Sequence, residues 1–151
     1  MFATRSTLTK FTGVLFLGLG LPVLAAPHIM HHGGPRPAAS EFGLGPRRSA
    51  GGAYVATLEP AAPLSGRGMQ RITLHLTDST GAEVDSARIT VGGGMPEHGH
   101  GYPTQPRVTG QAGAGRYAVG GVRFSMPGWW TLSFRIEAAA GTDSVTFNLK
   151  L

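Results

Sequence analysis

The chain has no cysteine among its 151 residues. Disulfides, thiolate zinc sites and thiol redox chemistry are therefore excluded, and any metal must be held by histidine, methionine or carboxylate. Charge is scarce as well. Asp, Glu, Lys and Arg together make up 14%, against the usual quarter of a globular chain. With 41% hydrophobic residues, a core can be buried, and the chain lacks the highly charged, apolar-poor composition of disordered proteins. No Gly-x-Ser-x-Gly elbow is present, and Gly92-Gly93-Gly94 leads into no helix that would cradle a phosphate. No hydrolytic constellation stands out, so a catalytic role is not expected, nor is a small-molecule substrate. The basic balance does not point to nucleic acid either. Residues 1–25 carry Arg5 and Lys10 and no acidic residue, so the formal charge of +5 owes two units to that segment. The later arginines (Arg67, Arg71, Arg88, Arg107, Arg116, Arg123 and Arg135) are scattered, where a nucleic-acid surface would cluster them among aromatics.

The beginning of the chain has the three parts of a secretory signal. Arg5 and Lys10 form the positive region, Phe11 to Leu21 the apolar stretch, and Pro22-Val23-Leu24-Ala25 the small-residue cleavage region. The apolar stretch is short of the roughly 20 residues of a membrane span, so a cleaved leader over 1–25 is expected ahead of an uncleaved anchor. The expected location is the periplasm or the exterior. Cleavage there starts the chain at Ala26-Pro27-His28. Pro27 has no amide N–H, so an amino-terminal square-planar copper site cannot form in full. His28, Met30, His31 and His32 remain either a loose metal-binding cluster or a polar tail. Residues 26–50, with four prolines and no apolar period, read as a flexible arm.

Glycine and proline are plentiful, at 24 and 11 residues, and from residue 51 they punctuate short alternating runs. Strands are expected at 53–58, 71–77, 86–91, 107–109, 115–124 with a bulge at Gly120-Gly121, 130–136 and 144–151. Gly92-Gly93-Gly94 closes the third, a long loop occupies 95–106, Gly141-Thr142 turns the chain into the last strand, and His75 faces outward alone. About seven strands and no helical stretch specify an all-β, Ig-like β-sandwich over 51–151.

The most chemically loaded segment is Met95-Pro96-Glu97-His98-Gly99-His100-Gly101. Glycines beside the histidines let the backbone bend so that both imidazoles face one point. Met126 lies in a second loop that a sandwich can bring to the same end, and Trp129-Trp130 follow it. Soft thioether with imidazole selects copper, particularly Cu(I), over zinc or magnesium. On this reading Met95, His98, His100 and Met126 are ligands and Trp130 packs beside them. On the plainer reading the histidines are solvated loop residues, Glu97 is solvated too, and Met126 fills the end of the core. A further alternative makes 95–106 a metal-free contact loop for a partner protein.

Met95-Pro-Glu-His-Gly-His-Gly101, Pro103, Pro106, Gly115-x-Tyr117, Val122-Arg-Phe124 and Met126-x-Gly-x-Trp130, in that order, resemble the YtkA-like/FixH-like group of exported or membrane-tethered Ig-like domains. The resemblance implies a β-sandwich and a role in copper handling, as a chaperone in oxidase assembly or in copper tolerance. The partner it implies is a periplasmic or membrane copper protein. It carries the ligand role to Met95, His98, His100 and Met126.

Overall fold

The computed structural model describes residues 35–151. The leader and the His28, Met30, His31 and His32 cluster lie outside the described residues. No helix among the described residues is long and apolar enough to cross a membrane.

The described residues open with a 3₁₀ turn, Ala39–Glu41, and then form nine strands: β1 Arg47–Arg48, β2 Tyr54–Pro60, β3 Gln70–Asp78, β4 Arg88–Met95, β5 His100–Gly101, β6 Arg107–Gly113, β7 Arg116–Val122, β8 Trp129–Ala138 and β9 Gly141–Lys150. They make two antiparallel sheets, one in the order β1-β2-β3-β7-β6 and the other β5-β4-β8-β9. The all-β sandwich expected from period-2 patterning is the architecture found.

Alternation along each strand decides which face is buried. Tyr54, Ala56 and Leu58 of β2, Ile72, Leu74 and Leu76 of β3, and Tyr117, Val119 and Val122 of β7 point inward from one sheet. Trp130, Leu132, Phe134 and Ile136 of β8, with Val145, Phe147 and Leu149 of β9, meet them from the other. Each Val, Leu, Ile or Phe of this set contributes about 1.5–3 kcal/mol when fully withdrawn from water. A one-residue register slip would turn the whole set outward, so the pattern also fixes the pairing. The expected bulge is present: Gln70 and Ile72 of β3 oppose Val122 and Val119, leaving one extra β7 residue at Gly120-Gly121.

Several boundaries differ from the sequence reading. Gly92-Gly93-Gly94 does not end β4, because Gly92, Gly93 and Gly94 pair with Ser133, Leu132 and Thr131 of β8. Glycine lacks β propensity but has no difficulty completing a ladder that its neighbour supplies. β6 runs on to Gly113 as the edge of its sheet. Arg123 and Phe124 lie beyond β7. Gly141 and Thr142 belong to β9, and Ala139-Ala140 make the turn between Ala138 and its partner Gly141.

The arm expected over 26–50 is, in its described part, folded onto the sandwich. Phe42 bridges Asn148, Arg47 and Arg48 pair with Ala56 and Val55, and Leu44 packs against the core. Asp143 supplies the clamp. Its carboxylate accepts from the Ser49 hydroxyl at 2.6 Å, from Gly51 N–H at 2.9 Å and from Ala53 N–H at 3.2 Å. Those partners, the Ser49 hydroxyl foremost, hold its pKa down at about 2. Isolated polar residues among prolines gave no periodic signal, so this tertiary attachment was invisible to pattern. His75 is not alone on its outer face: its Nε2 lies 2.8 Å from Glu83 and its Nδ1 3.8 Å from Glu59, and Glu59 also faces Arg116 at 3.4 Å.

Candidate metal centre

Met95 is the last residue of β4, and the chain reverses immediately after it. The backbone N–H groups of His98 and Gly99 both donate to the Met95 carbonyl, at 3.1 and 3.0 Å. β5 then pairs back, with Met95 opposite His100 and Gly94 opposite Gly101. The segment expected as a long loop is therefore a β-hairpin with its turn over 96–99. This arrangement depends on Gly94: its φ is +156°, and a Cβ there would overlap the His100 carbonyl oxygen. The hairpin base is fastened to β8, where the Thr131 hydroxyl donates to the Gly94 carbonyl at 3.3 Å. The Thr131 carbonyl accepts from the Tyr102 hydroxyl at 2.8 Å. Burial pushes that phenol's pKa far up, so it remains a neutral donor.

The hairpin turns its two imidazoles to solvent and its thioether inward. His98 and His100 are exposed, their ring centroids 5.8 Å apart and tilted by 45°. The Met95 side chain is 1% exposed. Its methyl group fills a notch at Gly128, where a Cβ would come within 2.8 Å of it. Met95, His100, Pro96, Gly93, Gly94 and Thr131 line a shallow depression of about 240 Å³. His100 stands edge-on to the buried Trp130, with centroids 5.9 Å apart. Trp130 in turn packs on Tyr102 at 5.1 Å and Phe124 at 5.3 Å. The histidine face is thus mounted on an aromatic wall continuous with the core.

Met126 lies in the 123–128 loop between β7 and β8, the loop whose Gly128 meets Met95. The Met126 carbonyl accepts the Trp130 indole N–H at 3.1 Å, while its side chain is 38% exposed. The structure therefore brings Met95, His98 and His100 into one hairpin. It places Met126 in the adjoining loop, outside the lining of the depression. Trp130 packs beside His100. Glu97 is less free than expected, lying 3.5 Å from the Arg36 guanidinium. The sequence reading missed Arg36; no local pattern links two positions so far apart in the chain.

The donor set can be tested against copper. Two imidazoles on one ion, with metal–nitrogen bonds of about 2 Å, have centroids roughly 5–6 Å apart. The observed separation lies in that range. His100 Nδ1 is 3.0 Å from the Gly101 carbonyl, the kind of second contact that leaves Nε2 as the ligating nitrogen. Among the described residues, no three His, Cys, Asp or Glu side chains gather as a metal-holding group. The hairpin itself offers two exposed imidazoles, with the Met95 thioether turned inward beneath them.

The family model of YtkA-like proteins matches residues 49–135. The chain belongs to the YtkA-like family. The match runs from Ser49 into β8 and contains the 95–101 hairpin, the Met126 loop and Trp130. No curated protein and no solved structure gives a significant match. In this YtkA-like domain the first 3₁₀ turn, β1 and β9 lie outside the matched residues, although β9 supplies Val145, Phe147 and Leu149 to the core.

Proposed function

We propose that this YtkA-like domain is an exported copper-binding protein that holds Cu(I) at the 95–101 hairpin and delivers it to a periplasmic or membrane copper protein. The observation that carries this reading is the pair of exposed imidazoles, His98 and His100, set 5.8 Å apart on the hairpin that follows Met95. Met126, from the adjoining loop, is the second thioether of the set. Copper supplies no catalytic step in this reading. The chain's own contribution is to present two borderline nitrogen donors and soft sulfur on a rigid support. A shallow, open site with labile thioether suits exchange with a partner better than permanent storage. The roles that follow are copper supply during oxidase assembly or copper tolerance. The signal pattern over 1–25 supports export.

The test is competition for Cu(I) between the purified protein and a chromophoric chelator. Binding tighter than micromolar, lost in His98→Ala with His100→Ala while the β circular dichroism persists, supports the proposal. Unaltered affinity in that double variant removes copper from the hairpin. No binding at all leaves the hairpin as a metal-free contact surface for a protein partner.

A further inference from the structure

We infer that the hairpin end of the sandwich is a docking surface for an anionic lipid bilayer, formed by Arg67, Arg71, Arg107, Arg123 and Lys150 around the exposed side chains of Met69 and Met126. These residues are far apart in the sequence, and strand pairing gathers them. Gln70 of β3 lies opposite Val122 of β7, so Arg67 and Met69, just before β3, adjoin Arg123 and the Met126 loop that follows β7. Arg107 opens β6 opposite Gly120 of β7. Lys150 closes β9 opposite Trp129, the first residue of β8. Gly94 pairs with Thr131 at that same end of β8, so the 95–101 hairpin stands beside them.

All of these cations are exposed. Among the described residues the arginine ion pairs are Arg36–Glu97, Arg116–Glu59 and Arg135–Glu137, so no carboxylate neutralises the set. The carboxylates at this end are already engaged, Glu97 by Arg36 and Glu41 by the Ala38 N–H at 2.8 Å. Most of the other acidic residues lie at the opposite end. Asp78 closes β3, Glu83 and Asp85 follow it in the connection to β4, Glu137 is near the end of β8 and Asp143 near the start of β9. The domain is therefore electrically polar along its strands, and an anionic surface draws it in hairpin end first.

Apolar side chains stand on the same end. Met69 at 60% and Met126 at 38% are the exposed large hydrophobic residues of the described chain. The loop carrying Arg67 and Met69 is held from beneath, because the buried Gln70 amide donates to the Ser65, Arg67 and Gly68 carbonyls at 3.0, 3.0 and 3.2 Å. A depression of about 340 Å³, lined by Phe42, Leu44, Leu64, Leu149 and Lys150, opens alongside. A protein interface gathers a contiguous apolar core and sets charge at its rim. Here single thioethers stand among cations, a pattern suited to side chains that enter a headgroup layer while arginine and lysine meet the phosphates. End-on docking sets His98 and His100 at the bilayer surface, where, on the copper reading, a membrane-bound acceptor is met.

The experiment is co-sedimentation of the purified full chain with vesicles of phosphatidylcholine alone and of an equal mixture of phosphatidylcholine and phosphatidylglycerol. Expected is binding to the anionic vesicles that falls with added salt. Each cation near such a surface is worth about fivefold in partitioning, so Arg67→Ser/Arg71→Ser/Arg123→Ser should weaken binding by at least about tenfold. The triple change of the same arginines to lysine should keep it, and Met69→Ser should weaken it about threefold. Arg48→Ser/Arg88→Ser/Arg135→Ser removes as much charge from other parts of the domain and should bind as the unsubstituted chain does. Binding unchanged by the Arg67, Arg71 and Arg123 substitutions, or weakened equally by both serine triples, overturns the inference. Equal binding to both kinds of vesicle overturns it as well. Absence of vesicle binding with retention on polyglutamate also overturns it, and assigns the same cations to an acidic protein partner. None of these variants removes a proposed copper ligand, so either result leaves the copper reading standing.

Discussion

The methyl group of Met95 occupies the space that a side chain at Gly128 would need, with only 2.8 Å between them. This contact joins the end of β4 to the loop before β8, and so couples the hairpin to the neighbouring methionine loop. Gly128 also has φ at +136°, a conformation that side chains rarely adopt.

Gly128→Ala is therefore expected to destabilise the domain by about 1–3 kcal/mol, from backbone strain and from displacement of Met95. Urea denaturation measures it. The substitution should cost less in a Met95→Ala background, where the overlap is gone and only the strain persists. Equal costs in both backgrounds would show that the two residues are not coupled.

Tyr102→Phe tests the fastening of the hairpin base. It deletes the hydroxyl donor to Thr131 and leaves the ring on Trp130 and Phe124. The expected loss is about 0.5–1.5 kcal/mol, with faster amide exchange at Gly94 and Gly101 than elsewhere in the sheet. Exchange unchanged at those two amides would assign the hairpin's order to the turn alone.

His98→Ala and His100→Ala should be nearly silent in stability. Both side chains are exposed at the turn and first β5 residue, and surface changes of this kind stay within about 0.5 kcal/mol. Thermal unfolding without metal checks this. A large loss would mean that the imidazoles hold the hairpin together, and copper loss in those variants would then report unfolding.

Asp143 gives a pH dependence with a definite sign. Its folded pKa is depressed, from an ordinary 3.8 to about 2, chiefly by the Ser49 hydroxyl and the Gly51 N–H. The carboxylate therefore stabilises the fold fully above pH 4, and that contribution fades as pH falls from about 4 toward 2. Asp143→Asn should lower the urea midpoint at neutral pH. The gap from the unsubstituted protein should narrow at pH 2. A gap equally wide at both pH values would contradict the assignment.

The sandwich was legible because its core residues alternate: Ile72-Leu74-Leu76 and Trp130-Leu132-Phe134-Ile136 announce strands whatever their neighbours do. The local chemistry of 95–101 was legible for the same reason, since His98, His100 and Met95 are close in sequence. What escaped depends on distant partners. Gly92 to Gly94 extend β4 because β8 offers ladder partners. Residues 39–50 are ordered by Asp143 and Asn148, 94 and 107 positions from Ser49 and Glu41. Arg36 meets Glu97 from another distant part of the chain. No period within a single segment encodes such contacts.

The most direct test of the copper account is residue-resolved NMR during Cu(I) titration of the protein, following the histidine ring signals and the methionine methyl signals. The account predicts that His98, His100 and the Met95 methyl shift together and saturate at one equivalent, while His75 on the opposite sheet does not move. Copper-dependent shifts that leave His98 and His100 untouched would contradict it.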